Sequence, residues 1–383
     1  MRYAIVTETY PPEVNGVALT VRELERSLRG RGHDVELVRP RQHRQDPAGP
    51  GGMLTTGVHL PLYAGLRFGL PAAARLRRAW RRQRPDAVYI ATEGPLGWSA
   101  MRAARALGIP VASGFHTRFD HYMRDYGLPL LEPLALAWMR RFHNRSAATL
   151  VPTRELRTGL EGLGFRHVVH LPRAVDTRRF DPAQRDEALR ARWGLGPDGL
   201  AVIHVGRIAA EKNLGLAIRA FRALQALRPD ARFIWVGEGP EQAGIREANP
   251  DFIYCGLQRG EALARHFASA DLFLFPSLSE TFGNVTIEAM ASGVATVAYR
   301  YGAAAEHLRH GVHGAAITLH DETGFIDAAC RLSLEDASRR GMGAAARTAV
   351  QSLRPAQVAA DFDAVLAGIA HRRSHADVHA ALA

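Results

Sequence analysis

The sequence predicts an α/β protein of two domains, each a parallel β-sheet covered on both faces by helices. Short apolar runs alternate with helical stretches along the chain, which is the pattern of repeated βαβ units. A chain of 383 residues is also too long for one ordinary core, and its 47% hydrophobic content is ample for two. Taken in order, Tyr3–Thr7 reads as a strand, 11–16 as a loop, Val17–Arg29 as a helix and Val35–Arg39 as the next strand. The Gly- and Pro-rich segment from about Gln42 to Thr56 reads as a mobile loop. Strand signals continue at Ala87–Ile90, Val111–Phe115, Thr149–Val151 and Val168–Leu171, with helical stretches between them that include Glu132–Ala147. The first domain is expected to span 1–180. The second, 190–355, carries strands at Ala201–Val205, Arg232–Val236, Phe252–Cys255, Leu272–Phe275 and Ala295–Ala298. Pro355 opens a closing helix over 356–372, with Val358, Phe362, Val365, Leu366 and Ile369 on one face, and 373–383 reads as a disordered tail.

Composition narrows the class. Cys255 and Cys330 lie far apart without metal-type spacing, which argues against a disulfide framework or a zinc site and fits a reducing cytoplasm. The apolar run after Met1 is too short for a signal peptide, and no stretch reaches membrane-span length, so a soluble or peripheral protein is expected. Residues 1–180 hold 28 arginines against 15 acids, a charge of +13, whereas 181–383 carry −2. The excess concentrates in Arg75, Arg77, Arg78, Arg81, Arg82 and Arg84, around Leu76 and Trp80 at helical spacing, the pattern of an interfacial helix that would meet an anionic membrane or a lipid acceptor. Neither a recognised nucleic-acid module nor interleaved aromatics accompany these arginines, so nucleic acid is not the expected partner.

The most informative segment runs from Pro276 to Gly293, between the apolar run Leu272–Phe275 and a helical pattern. Gly283 permits a tight turn and Asn284 is a good N-cap, which puts Glu280 on the approaching loop and Glu288 about one turn into the helix. Backbone amides at a helix start suit a phosphate and carboxylates suit hydroxyls, so the segment is shaped for a sugar joined to a nucleoside diphosphate. Lys212, the only lysine in the chain, follows the run Ala201–Val205 in Gly206-Arg207-x4-Lys212. A compact ammonium suits a diphosphate approached end-on. Gly16 lies in the turn after the first strand, where a small residue lets a ligand come close, and His116 follows another strand in Gly114-Phe115-His116-Thr117-Arg118-Phe119-Asp120-His121-Tyr122.

Strand, Pro-Ser, Glu-Thr-Phe-Gly-Asn, helix and Ala-Ser-Gly stand here in one order, and the chain thereby resembles the retaining family 4 glycosyltransferases, whose signature is Glu-x7-Glu. The resemblance implies the GT-B fold over roughly 1–355: two Rossmann-like domains with parallel sheets facing a central cleft, the first for the acceptor and the second for the nucleotide sugar. It implies that Arg207 and Lys212 bind the donor diphosphate and act in catalysis, and that the donor site includes Gly16, Thr281, Phe282, Gly283, Asn284 and Glu288. Glu280 would hold sugar hydroxyls, Glu288 the ribose, and His116 would contact the transferred sugar near its reacting carbon. Where many relatives carry paired glycines this chain has Gly16-Val17, as do members resembling GDP-mannose-dependent α-mannosyltransferases and sulfolipid-forming enzymes.

The implied activity is a metal-independent, retaining hexosyl transfer from GDP-mannose or a UDP-hexose to a lipid or lipid-linked acceptor, in the cytoplasm at the inner membrane face and without a cofactor. A soluble sugar acceptor, or a sugar-nucleotide epimerase of the same architecture, is the alternative. A dinucleotide-dependent dehydrogenase would need a fingerprint that Val236-Gly237-Glu238-Gly239-Pro240 lacks, and a non-catalytic sugar-nucleotide binding module would turn over no donor. Asp361-Phe362-Asp363 has the form of a metal motif, but it lies in a helical pattern with Phe362 facing the core.

Overall fold

The computed structural model describes every residue except 14, 44–45, 50, 60–66, 117–131, 279, 281 and 382–383. The chain divides into two units, Met1–Arg173 with Pro355–Ala383, and Ala174–Arg354.

In the first unit β1 (Arg2–Val6) leads through α1 (Gly16–Gly30) to β2 (Asp34–Pro40). Asn15 caps α1 by accepting from the Ala18 amide at 2.8 Å. The segment read as a mobile loop is only partly one, because β3 (Met53–Thr55) pairs with β2 and Asp46 is buried in a bidentate pair with Arg39 at 2.5 and 2.7 Å. Its ordering comes from an ion pair to the end of β2, seven residues away, and from a three-residue edge strand, neither of which shows in apolar periodicity. β4 (Gly57–His59) and β5 (Arg67–Gly69) form a separate antiparallel pair. Then come α2 (Ala73–Arg82), β6 (Ala87–Ile90), α3 (Pro95–Ala106), β7 (Val111–Gly114), α4 (Glu132–His143), β8 (Ala148–Val151), α5 (Arg154–Gly162) and β9 (Val168–His170). The sheet is parallel throughout in the order β3-β2-β1-β6-β7-β8-β9. Alternation decides its faces: Tyr3 and Ile5 pack with α1, while Ala4 and Val6 pack with Leu76 and Trp80 of α2 and with α3.

The second unit opens with α6 (Glu187–Arg192), and its parallel sheet has the order β12-β11-β10-β13-β14-β15. Its strands are β10 (Ala201–Val205), β11 (Arg232–Val236), β12 (Ile253–Tyr254), β13 (Leu272–Phe275), β14 (Ala295–Tyr299) and β15 (Gly314–Ile317). The helices are α7 (Leu214–Leu227), α8 (Gln242–Ala248), α9 (Gly260–Ala268), α10 (Asn284–Ala291), α11 (Ala303–His307), α12 (Glu322–Leu334) and α13 (Asp336–Val350). The chain leaves β10 toward β11 on one side and returns on the other at β13. Ligands of parallel sheets bind beyond the carboxyl ends of strands at such a reversal.

The last helix, α14 (Pro355–Ala381), joins the first unit. Phe362, Leu366 and Ile369 enter the core beneath β1 and β6, and the rings of Phe362 and Tyr89 meet edge to face at 4.9 Å. Asp363 accepts from Tyr3, Arg31 and His33, each at 3.0 Å, so half of the Asp-x-Asp pattern serves to dock the helix. The backbone stays helical to Ala381, beyond the 372 expected from sequence, since no Gly or Pro interrupts Ser374–Ala381. Among the described residues no helix is long and apolar enough to cross a membrane.

Candidate active site

At the reversal of the second sheet, the loops after β10 and β13 come together. Lys212 ends a 3₁₀ turn, Ala210–Lys212, and its ammonium pairs with a carboxylate oxygen of Glu280. Ser277 donates to the same carboxylate at 2.9 Å, and the Leu278 amide donates to the Glu211 carbonyl at 3.2 Å, tying one loop to the other. The only lysine and the first signature glutamate, read separately from sequence, are thus direct partners. Gly283 has φ +88 and is the capping residue of α10, so the cap falls one residue before the Asn284 expected. A left-handed glycine can turn the chain into the helix without a side-chain cap, and Asn284 becomes the first helical residue. At this end of α10 the Thr286 amide already donates to the Gly283 carbonyl at 3.0 Å, while the amides of Asn284 and Val285 precede the first helical bond, as at any helix start.

Phe282 was expected to line the donor site, but its ring is buried in the core and faces His307 at 6.0 Å. Its carbonyl accepts from the Ala303 amide at 2.6 Å, which fastens the signature loop to the turn before α11. Thr281 lies outside the described residues. Glu288 sits on α10 without a hydrogen bond to its carboxylate among the described residues, and burial pushes the carboxyl up to about 7 against the pull of Arg179. Arg207 is half exposed and lies 3.6 Å from Glu211. The turns after β10 and β11 pack backbone to backbone, since a Cβ on Gly237 would lie 1.9 Å from the Gly206 carbonyl oxygen. This explains the glycines of 236–240 without any dinucleotide.

In the first unit His116 follows β7 and is buried between two partners. Arg173 donates to Nδ1 at 2.5 Å, and Tyr89 Oη lies 2.8 Å from Nε2. A guanidinium only donates, so Nδ1 must accept and Nε2 carries the proton toward Tyr89. Burial first, and Arg173 second, hold the imidazole pKa well below its usual value, and the ring is neutral. Residues 117–122, quoted with His116 above, lie outside the described residues. Gly16 is the first residue of α1 and is exposed.

Sequence reasoning missed Arg173, whose only local mark is Pro172 after a strand, and it missed two buried carboxylates at the reversal between β1 and β6. Glu8 accepts from the amides of Gly69 and Leu96, the latter at 2.8 Å, joining β5 to the start of α3. Burial pushes Glu8 to about 7, and Glu93 to about 8 with Glu8 adding to the rise. The folded state therefore keeps a proton on Glu93 that the unfolded chain, with an ordinary carboxyl near 4.5, has released, and stability from this group falls as pH rises between those values. Glu93→Gln is expected to raise the melting temperature by several degrees near pH 9 and to leave it unchanged near pH 5, read from thermal unfolding against pH.

The interfacial reading of α2 needs correction. Leu76 and Trp80 are buried in the core, and Trp80 donates to Glu36 at 2.9 Å, so no apolar face is left for a bilayer. Arg75 donates to the Leu54 carbonyl at 2.9 Å, and Arg84 to the carbonyls of Leu107 and Gly108 at 2.7 and 3.0 Å. Arg77, Arg78, Arg81 and Arg82 are exposed and make no such bonds among the described residues. Helical spacing alone cannot tell a core stripe from an interfacial one.

Comparison with known proteins agrees with this architecture. Residues 14–179 match Glycosyltransferase Family 4, and residues 199–335 match Glycosyl transferases group 1. The GDP-mannose-dependent alpha-mannosyltransferase of Corynebacterium glutamicum is 33% identical over 351 residues, covering 90% of this chain and 84% of that protein. The sulfoquinovosyl transferase of Arabidopsis thaliana is 29% identical over 311 residues, 79% of this chain and 60% of that protein. Anabaena HepE, solved in complex with UDP, has a TM-score of 0.78 at 18% identity over 96% of this chain and 100% of its own. The chain belongs to glycosyltransferase family 4 and has the GT-B fold.

Proposed function

We propose that the protein is a retaining, metal-independent hexosyltransferase that moves mannose from GDP-mannose, or glucose from a UDP-sugar, to a lipid or lipid-linked acceptor at the inner membrane face. The observation that carries this reading is the Lys212–Glu280 pair beside the start of α10, at the reversal of the second sheet. The donor belongs to the second unit. Lys212, Arg207 and the first amides of α10 hold the diphosphate, Glu280 takes hydroxyls of the sugar, and Glu288 accepts from the ribose. A half-buried carboxylate without a hydrogen-bonded partner among the described residues gains from a diol, since charge-assisted bonds contribute about 1.5–3 kcal/mol each. The mannosyltransferase named above and the UDP bound in the Anabaena protein support the two donors considered.

As the bond from the anomeric carbon to the phosphate oxygen breaks, its electron pair passes to the diphosphate, where Lys212 and Arg207 stabilise the growing charge. The acceptor hydroxyl forms its new bond on the same face and gives its proton to that departing oxygen. His116 cannot take the proton, because its Nδ1 lone pair is engaged by Arg173. It orients and polarises. The lipid acceptor and peripheral location are supported by the +13 charge of residues 1–180 and by exposed Arg77, Arg78, Arg81 and Arg82, which attract an anionic surface even without an apolar anchor.

The test is transfer of labelled hexose from GDP-mannose and from UDP-glucose to bacterial membrane lipid in the presence of a chelator, beside Glu288→Ala. Turnover of one donor should persist in chelator, and the variant should bind that donor's nucleoside diphosphate about 10- to 100-fold more weakly. Turnover restored only by Mg²⁺ or Mn²⁺, or unchanged nucleotide affinity in the variant, would contradict the assignment.

A further inference from the structure

Away from both strand reversals, the first unit holds a cavity of about 610 Å³ between α2, α3 and the end of α4. Arg77, Arg102, Arg105, Arg141 and Arg145 line it with Trp98, and no acidic residue does. Trp98, Arg102 and Arg105 fall three and four residues apart, on one face of α3. Arg145 stands over the Trp98 ring at 5.3 Å and donates to the Arg141 carbonyl at 2.7 Å. None of the five has a carboxylate partner among the described residues. Elsewhere in this chain arginines are commonly paired, as Arg39 is with Asp46, Arg190 with Asp271 and Arg228 with Asp230. The Trp98 indole nitrogen is buried and also lacks a partner among the described residues.

Gathering guanidiniums without a counter-charge is unfavourable even where solvent screens it, as it does at exposed Arg77, Arg102, Arg105 and Arg141, and at half-buried Arg145 burial first, then Arg141 and Arg105, hold the pKa below its ordinary value. A bound anion would relieve it. Guanidinium forks match phosphate oxygens in pairs, and a phosphate monoester carries nearly two negative charges near neutral pH. A concave site of this size suits a compact phosphate group better than an extended backbone.

We propose that this arginine-lined cavity is a binding site for a phosphate-bearing group, supplied by an anionic lipid headgroup or by a soluble phosphate. It is separate from the donor chemistry and does not rest on the reading of Glu280 and Lys212.

The test compares the wild type with Arg102→Gln/Arg105→Gln/Arg141→Gln and with a charge-matched control at exposed arginines that have no part in the membrane reading, Arg26→Gln/Arg166→Gln/Arg340→Gln. One arm measures co-sedimentation with phosphatidylcholine vesicles containing phosphatidic acid, against phosphatidylcholine alone. The other titrates inorganic pyrophosphate by calorimetry with the donor site saturated by nucleoside diphosphate. Loss of vesicle affinity by at least tenfold in the cavity variant alone identifies a lipid headgroup. The same loss for pyrophosphate, with vesicle binding equal in all three proteins, identifies a soluble phosphate. Equal binding by wild type and cavity variant in both arms overturns the proposal, as does an equal loss in the control, which would make the effect one of diffuse charge. Melting temperature and nucleoside diphosphate affinity are read for each protein, so a misfolded variant or a failure of the donor reading is told apart from a failure of this site.

Discussion

Lys212→Ala is expected to lower kcat/KM for hexose transfer by about 10²–10³-fold, the loss typical of removing one preorganised stabiliser of transition-state charge. The chain has no second lysine, and Arg207 is half exposed beside Glu211, so no neighbouring ammonium can take its place. Glu280 holds Lys212 at the reversal between β10 and β13 before any ligand arrives. The ammonium therefore needs little reorganisation when charge develops on the leaving diphosphate. Steady-state kinetics with the preferred donor decides it, with circular dichroism to confirm folding. Transfer within threefold of wild type would remove Lys212 from the leaving-group chemistry.

Glu280→Ala is expected to reduce turnover by a similar 10²-fold or more while the free nucleoside diphosphate binds unchanged or up to about tenfold more tightly. In the wild type the carboxylate competes with the diphosphate for Lys212, and its removal frees the ammonium. A factor of ten corresponds to about 1.4 kcal/mol, well within what one desolvated charge pair supplies. The sugar loses its acceptor, so only the intact donor suffers. Calorimetry with the nucleoside diphosphate separates the two effects from kcat. Equal losses in affinity and turnover would mean that Glu280 serves the diphosphate loop and not the sugar.

Much of this was legible where the physics is local. Ala87–Ile90, Ala201–Val205, Arg232–Val236 and Leu272–Phe275 are apolar runs buried on both faces and bounded by turns, and their ends fall where sequence puts them. β15 went unread because Gly314-Ala315-Ala316-Ile317 is too small in its side chains to signal a strand, although it is fully buried. The signature segment was readable because its residues lie on one turn and one helix. Its partnerships were not: Lys212 and Glu280 are 68 residues apart, and Arg173 reaches His116 across 57. The face of α2 was misassigned because Leu76 and Trp80 would look the same over a sheet or over a bilayer.

The docking of α14 also fixes an order of assembly. A ribosome emits Tyr3 360 residues before Asp363, its hydrogen-bond partner. The second unit is continuous from Ala174 to Arg354 and can close as soon as it has emerged. The first waits with the apolar surface around Ile5 and Tyr89 uncovered until the final helix is free of the exit tunnel. Transiently uncovered apolar surface of this kind is what makes a half-built unit prone to aggregate.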